Sequence, residues 1–185
     1  LAEMLRTARD FEDEMDIVRR FKQERQFQAG VQLIGAQVDA FTASRHLSAI
    51  AEVCVGAMLR CTERNFATKQ PDLQEGSLAV IVLGRLGARE LTFGSDIDMV
   101  FVYDSEAHNP LLPPQHSIYN KLSQRFISSV TSLTREGRLY EVDTRLRPSG
   151  NDGALAVGVG AFEKYFRESA WTFELMAFTR ARVIA

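Results

Sequence analysis

The sequence predicts an α+β fold, a mixed β-sheet flanked by helices and preceded by a helical segment. Three observations lead there. Apolar residues over roughly the first seventy positions recur at three-to-four spacing, the period of an amphipathic helix. Two short β-branched runs follow, LAVIVLG (Leu78–Gly84) and IDMVFVY (Ile97–Tyr103). A cleanly alternating stretch, RLYEVDTRLRP (Arg138–Pro148), then has the period of a strand with two different faces. Helices first, then strands mixed with helices, is the order of an α+β chain. The expected division is a helical segment over 1–70, packed on a core formed by 71–185.

In order, Leu1, Leu5, Ala8, Phe11, Met15 and Val18 make the first stripe. The charged KQER patch (Lys22–Arg25) interrupts it, and Phe27, Val31, Ile34 and Val38 resume the period. Leu47, Ile50, Ala51, Cys54, Met58 and Cys61 form a second stripe, with Thr42 or Ser44 placed to cap its start. KQPDLQEGS (Lys69–Ser77) is a turn-rich break. Both β-branched runs are expected to be strands buried on both faces. SEAHNPLLPPQ, with three of the five prolines, is a loop. Ile118, Leu122, Phe126, Val130 and Leu133 make a further helical stripe. Gly150 and Gly153 mark a turn, ALAV reads as one more short strand, and the chain finishes helical from about Val159, with Trp171 at a helix start. Trp171 is either a core anchor or the start of a helix whose acids or arginines face a cleft.

The 185 residues suffice for one domain with an extension, and 45% apolar and 25% charged residues are the balance of a soluble globular protein. No apolar run approaches the roughly 20 residues of a membrane span, and no signal peptide is visible. The net charge of −2 argues against a general nucleic-acid surface. Cys54 and Cys61 lie two helical turns apart, roughly 10 Å along the axis, too far for a disulfide. Two buried thiols and a cytoplasmic location are expected. His46, His108 and His116 do not fall at metal-ligand spacing with the cysteines. A start at Leu1 and an end in TRARVIA suggest a piece of something longer.

Chemistry gathers around the second run. Asp96 and Asp98 stand at i and i+2, so on a strand they leave the same face, with Cα atoms roughly 6–7 Å apart. Carboxylates so placed suit Mg²⁺, a hard cation bound through oxygen together with substrate phosphates. A bare Asp-x-Asp is also common in acidic turns. Gly84, Gly87 and Gly94 precede the acids, and glycine lets backbone N–H groups approach a polyphosphate. Arg85 and Arg89 add positive charge, although the spacing is not that of a P-loop. In EVDTRLRP, Glu141, Asp143, Arg145 and Arg147 share one face, opposite Val142 and Leu146. That face is either a solvated ion-paired surface or the floor of a cleft, with Asp143 completing a carboxylate cluster and the arginines binding phosphate.

Gly84-Arg85, ten residues, then Asp96-Ile97-Asp98, with a third carboxylate on a later strand, resembles the signature of the DNA polymerase β-type nucleotidyltransferase superfamily. Arg85 departs from the usual Ser. With LYEVDTRLRPSG and AWTFELMAFTRARV, the departure is similar to one branch, the glutamine-synthetase adenylyltransferases, over about Leu78–Ala185. That family carries two related domains, one adding AMP to glutamine synthetase and one removing it by phosphorolysis. YEVDTRLRPSG and SAWTFELMAFTRAR are closer to the C-terminal, adenylylating version than to motifs such as YRVDMRLRPFG and GRDWERYAMVKAR.

The resemblance implies a polymerase β-like core and ATP as substrate. Asp96, Asp98 and Asp143 would hold two Mg²⁺ ions, with Asp143 as general base. Gly84, Arg85 and Ser95 would contact the triphosphate, and Arg145 and Arg147 are weaker phosphate candidates. It further implies glutamine synthetase as protein substrate and the PII signalling protein as partner, with no role for nucleic acid or membrane. Phosphorolytic deadenylylation and a non-catalytic nucleotide-sensing module are the alternatives.

Overall fold

The computed structural model describes residues 1–70, 76–104 and 114–185. The helical part holds α1 (Ala2–Leu5), α2 (Phe11–Ile34) and α3 (Ala40–Ala67). The first stripe is therefore cut, because Asp10 caps α2 by accepting from the Asp13 N–H at 2.8 Å. The KQER patch, in contrast, does not break α2. Beyond it the stripe residues Phe27, Val31 and Ile34 are exposed, whereas Val18 before it is buried. α3 is capped by Asp39, earlier than the expected Thr42 or Ser44; the Thr42 N–H is the donor, at 2.7 Å. Its stripe is buried as expected apart from the half-buried Ile50, and both cysteines are free thiols in the core.

The strands are β1 (Ser77–Val82), β2 (Ile97–Asp104), β3 (Val142–Asp143), β4 (Ala156–Gly158) and β5 (Arg182–Val183). The helices between them are α4 (Gly84–Gly87), α5 (Gln115–Thr131), α6 (Val159–Glu168) and α7 (Thr172–Phe178). The sheet is mixed. β1 lies antiparallel between β2 and β5, while β3 and β4 run parallel to β2 near its two ends. Met99 and Phe101 of β2 face a large core shared with α2, α3 and α5. Val100 and Val102 face a smaller cluster with Phe162 and Phe178 from α6 and α7. β2 is thus buried on both faces as expected. β1 is not: its residues alternate between buried and partly exposed.

Three other expectations change. The alternating stretch yields only two strand residues, because the segment after Asp143 turns back on itself and Arg147 folds inward. Leu133 lies beyond the end of α5 and is exposed. Trp171 is no core anchor; the residue is 71% exposed and it stands as the N-cap residue of α7. The proline-rich loop and the Pro71 turn fall mainly outside the described residues. Among the described residues no helix is long and apolar enough to cross a membrane.

Candidate active site

The acids sit where the apolar row on one face of β2 runs out. Continuing Val102 and Val100 toward the start of the strand gives Asp98, then Asp96 on the approach to it. β3 pairs with β2 in parallel here, and its register sets Asp98 opposite Asp143. Residues paired this way project from the same face on strands about 4.8 Å apart. The Ile97 N–H donates to the Glu141 carbonyl at 3.0 Å and closes this end of the ladder. Asp98 and Asp143 are half-buried, and Asp96 is exposed.

The glycine turn meets the acids directly. The Leu83 N–H donates to the Asp98 carbonyl at 3.1 Å. Gly84 follows with φ +53°, and a Cβ added there would fall 2.1 Å from Asp98 Oδ2. Both the left-handed backbone and the approach of the carboxylate require glycine at this position. Arg85 is exposed, and its Nη1 donates to Thr92 Oγ1 at 3.1 Å. Ser95 Oγ accepts from the Thr92 N–H at 3.1 Å and lies 2.7 Å from Thr92 Oγ1. Arg85 and Ser95 are therefore joined through Thr92. Sequence reasoning missed that residue, and its only signal is a hydroxyl three positions ahead of Ser95 in a turn.

The two arginines after Asp143 behave differently. Arg145 is exposed and grips Asp143: its Nε is 2.8 Å from Oδ2, its Nη2 contacts the same oxygen, and its backbone N–H donates to Oδ1 at 2.8 Å. Arg147 is buried, and its guanidinium donates to the carbonyls of Thr144 (2.8 Å) and Asn151 (3.2 Å) and to Thr144 Oγ1 (3.0 Å). It holds the 144–153 loop together. Alternation along the sequence put both on one face, and the structure separates them.

Electrostatics distinguish the acids too. Burial, then the neighbouring charges of Asp96 and Asp143, push the Asp98 carboxyl above its ordinary value. The Arg145 hydrogen bonds, reinforced by its charge, hold Asp143 below the usual carboxylate range. Among the described residues no three His, Cys, Asp or Glu side chains stand as a ready metal cage. Carboxylate oxygens are the donor type a hard cation takes, and Asp143 here is paired with Arg145. Two clefts, of about 490 and 470 Å³, open away from these residues, one beside Leu5 and Arg64 and one beside Arg45 and Arg89.

Fold and site together define an α+β protein with carboxylates borne on a strand end beside a glycine turn, an arrangement suited to phosphate chemistry. The sequence profile of the glutamate–ammonia ligase adenylyltransferase family matches residues 1–185, and the chain belongs to that family. It is 40% identical over 191 residues to a bifunctional glutamine synthetase adenylyltransferase/adenylyl-removing enzyme of Mesorhizobium japonicum. Proteins of the same description from Brucella suis and Xanthobacter autotrophicus are 41% and 39% identical. In each case the match covers 100% of this chain and 19% of the relative, so the chain spans about a fifth of the relatives' length.

Proposed function

We propose that this chain carries a polymerase β-like nucleotidyltransferase centre that moves AMP from ATP to a tyrosine hydroxyl of glutamine synthetase, releasing pyrophosphate. The observation that carries the reading is the in-register pairing of Asp98 with Asp143, with Gly84 against the Asp98 carboxylate. Family membership supports adenylyl transfer as the chemistry, and the C-terminal-type motifs favour the adding direction.

In this reading Asp96, Asp98 and Asp143 would hold two Mg²⁺ ions, which would supply charge neutralisation at the phosphates and a lowered pKa for the tyrosine hydroxyl. Gly84 brings the chain close enough for backbone contact with the triphosphate. Arg85 and Ser95, joined through Thr92, present a guanidinium and a hydroxyl to its oxygens. Asp143 is the carboxylate that takes the tyrosine proton. Arg145 keeps it ionised and weakens it as a base, so release of this pairing onto a phosphate oxygen would strengthen Asp143 as a base. Arg147 contributes by holding the loop. Positioning and charge stabilisation then supply the rate without a covalent intermediate. The protein works in the cytoplasm, with PII as a regulatory partner.

The test is transfer of label from ATP to glutamine synthetase in the presence of Mg²⁺. Asp98→Asn is expected to lower kcat by at least about a thousandfold with the fold intact. Near-normal turnover in that variant overturns the reading. The relatives' names include adenylyl removal, so the same protein is also given AMP-modified glutamine synthetase and phosphate; ADP release in place of labelling would reverse the assigned direction.

A further inference from the structure

We propose that Arg182 and Glu52 are positioning residues for the nucleotide end of this site, acting through α4. The inference rests on the nucleotide reading of Gly84 and Arg85 given above. α4 has four residues, too few to persist on its own hydrogen bonds. It begins at Gly84, against Asp98, and ends at Gly87. Arg182 holds that far end: its Nε donates to the Gly87 carbonyl at 2.7 Å and its Nη2 to the Leu86 carbonyl at 2.8 Å. A cation on the last carbonyls of a helix is favourable both as a donor and against the helix dipole.

Glu52, on α3, fixes the guanidinium from behind. Its Oε1 contacts Arg182 Nη2 and lies 3.4 Å from the Nε of Arg89, just after α4. Arg89 has φ +61°, a left-handed backbone that few side chains adopt. Gly87 completes the joint, since a Cβ there would fall 2.1 Å from the Arg180 carbonyl. The backbone leading into β5 therefore lies directly against α4 at Gly87.

Attachment of β5 does not need the Arg182 side chain. The Val80 N–H donates to the Ala185 carbonyl at 2.7 Å, and the Ile184 N–H donates to the Val80 carbonyl at 3.1 Å, so the backbone already secures it. What the guanidinium adds is the orientation of α4, a lever about 6 Å long. Tilting it at Gly87 moves Gly84 and Arg85 at the other end, where Gly84 has no room against Asp98. By this route the helical segment becomes part of the active site.

The experiment uses the full-length natural protein and measures KM for ATP, KM for the protein acceptor, and kcat. Arg182→Lys keeps the charge and loses the planar fork, so it cannot hold both carbonyls. Glu52→Gln keeps shape and packing while removing the charge that fixes Arg182. Leu59→Ala, in the core two turns further along α3, serves as a matched destabilised control. Both site-linked variants are expected to raise KM for ATP about tenfold, with KM for the acceptor unchanged. Leu59→Ala is expected to lower Tm and leave KM for ATP alone. An unmoved KM for ATP in Arg182→Lys and Glu52→Gln overturns the proposal, and so does an equal rise in Leu59→Ala, which would make the effect one of stability. Asp98→Asn separates the two levels: turnover in that variant removes the nucleotide reading and this inference together, whereas a dead Asp98→Asn with unmoved KM values removes only the positioning role.

Discussion

Asp98 and Asp143 are paired neighbours with opposite titration behaviour, and Arg145 links them. Asp143 is held low, so its contribution to stability is present above its unfolded value and is lost as pH falls through the folded one. Asp98 is raised, so its ionisation opposes folding at neutral pH and protonation relieves the strain as pH falls. Arg145 lowers both, chiefly by hydrogen bond on Asp143 and by charge alone on Asp98. Arg145→Gln is therefore expected to move both carboxyls upward, Asp143 by more. Carboxyl-carbon NMR titration reads this directly. An Asp98 that does not move, or moves down, would show that Arg145 is not near it in solution. Asp98 was legible in the sequence because a strand period places it, whereas Asp96 stands just ahead of β2. The register that sets Asp143 beside Asp98 was not legible, since it depends on tertiary pairing across forty-five positions. Glu52 was invisible for a related reason: a single acid in a helical stripe carries no local sign of what lies across from it.

At the scale of elements, the long patterns were readable and the short ones were not. α3 and β2 follow from stripes and β-branched runs whose many contacts agree. α1, β5 and the Asp10 cap involve too few residues for periodicity to register. The misjudged element is RLYEVDTRLRP, where alternation predicted a strand and the chain instead folds into a loop closed by Arg147. That loop tests which role the arginine has. Arg147→Lys, with one donor group replacing a fork, is expected to cost about 1–2 kcal/mol and to speed amide exchange around 149–153. KM for ATP should stay unchanged. Unaltered exchange with a raised KM would return Arg147 to the phosphate-binding role that its place in the sequence suggested.

Across the whole molecule, the helical segment and the sheet do not form separate cores. Val18, Leu47 and Met58 share one apolar cluster with Val80, Phe101 and Phe126. That cluster draws on residues from both sides of position 70. Arg19 reinforces the union. It is fully buried in α2, and its guanidinium donates to the carbonyls of Ser129 (2.8 Å), Ser132 (2.9 Å) and Gly137 (2.9 Å). It so caps the end of α5 and the turn that leads toward β3. Burial lowers its pKa, and the carbonyls compensate for the lost water. Arg19→Met fills similar volume but removes the guanidinium from the Ser129 and Ser132 carbonyls, while Gly137 keeps the Thr134 N–H, at an expected cost of about 3 kcal/mol. Because the core is shared, the loss should appear everywhere at once. Urea melts followed by far-UV circular dichroism should shift without splitting, and amide protection in α3 and β2 should fall by the same free energy. Two separated transitions, or protection lost in α2 alone while β2 keeps its own, would mean that the helical segment unfolds as an independent unit and that the site on β2 does not depend on it.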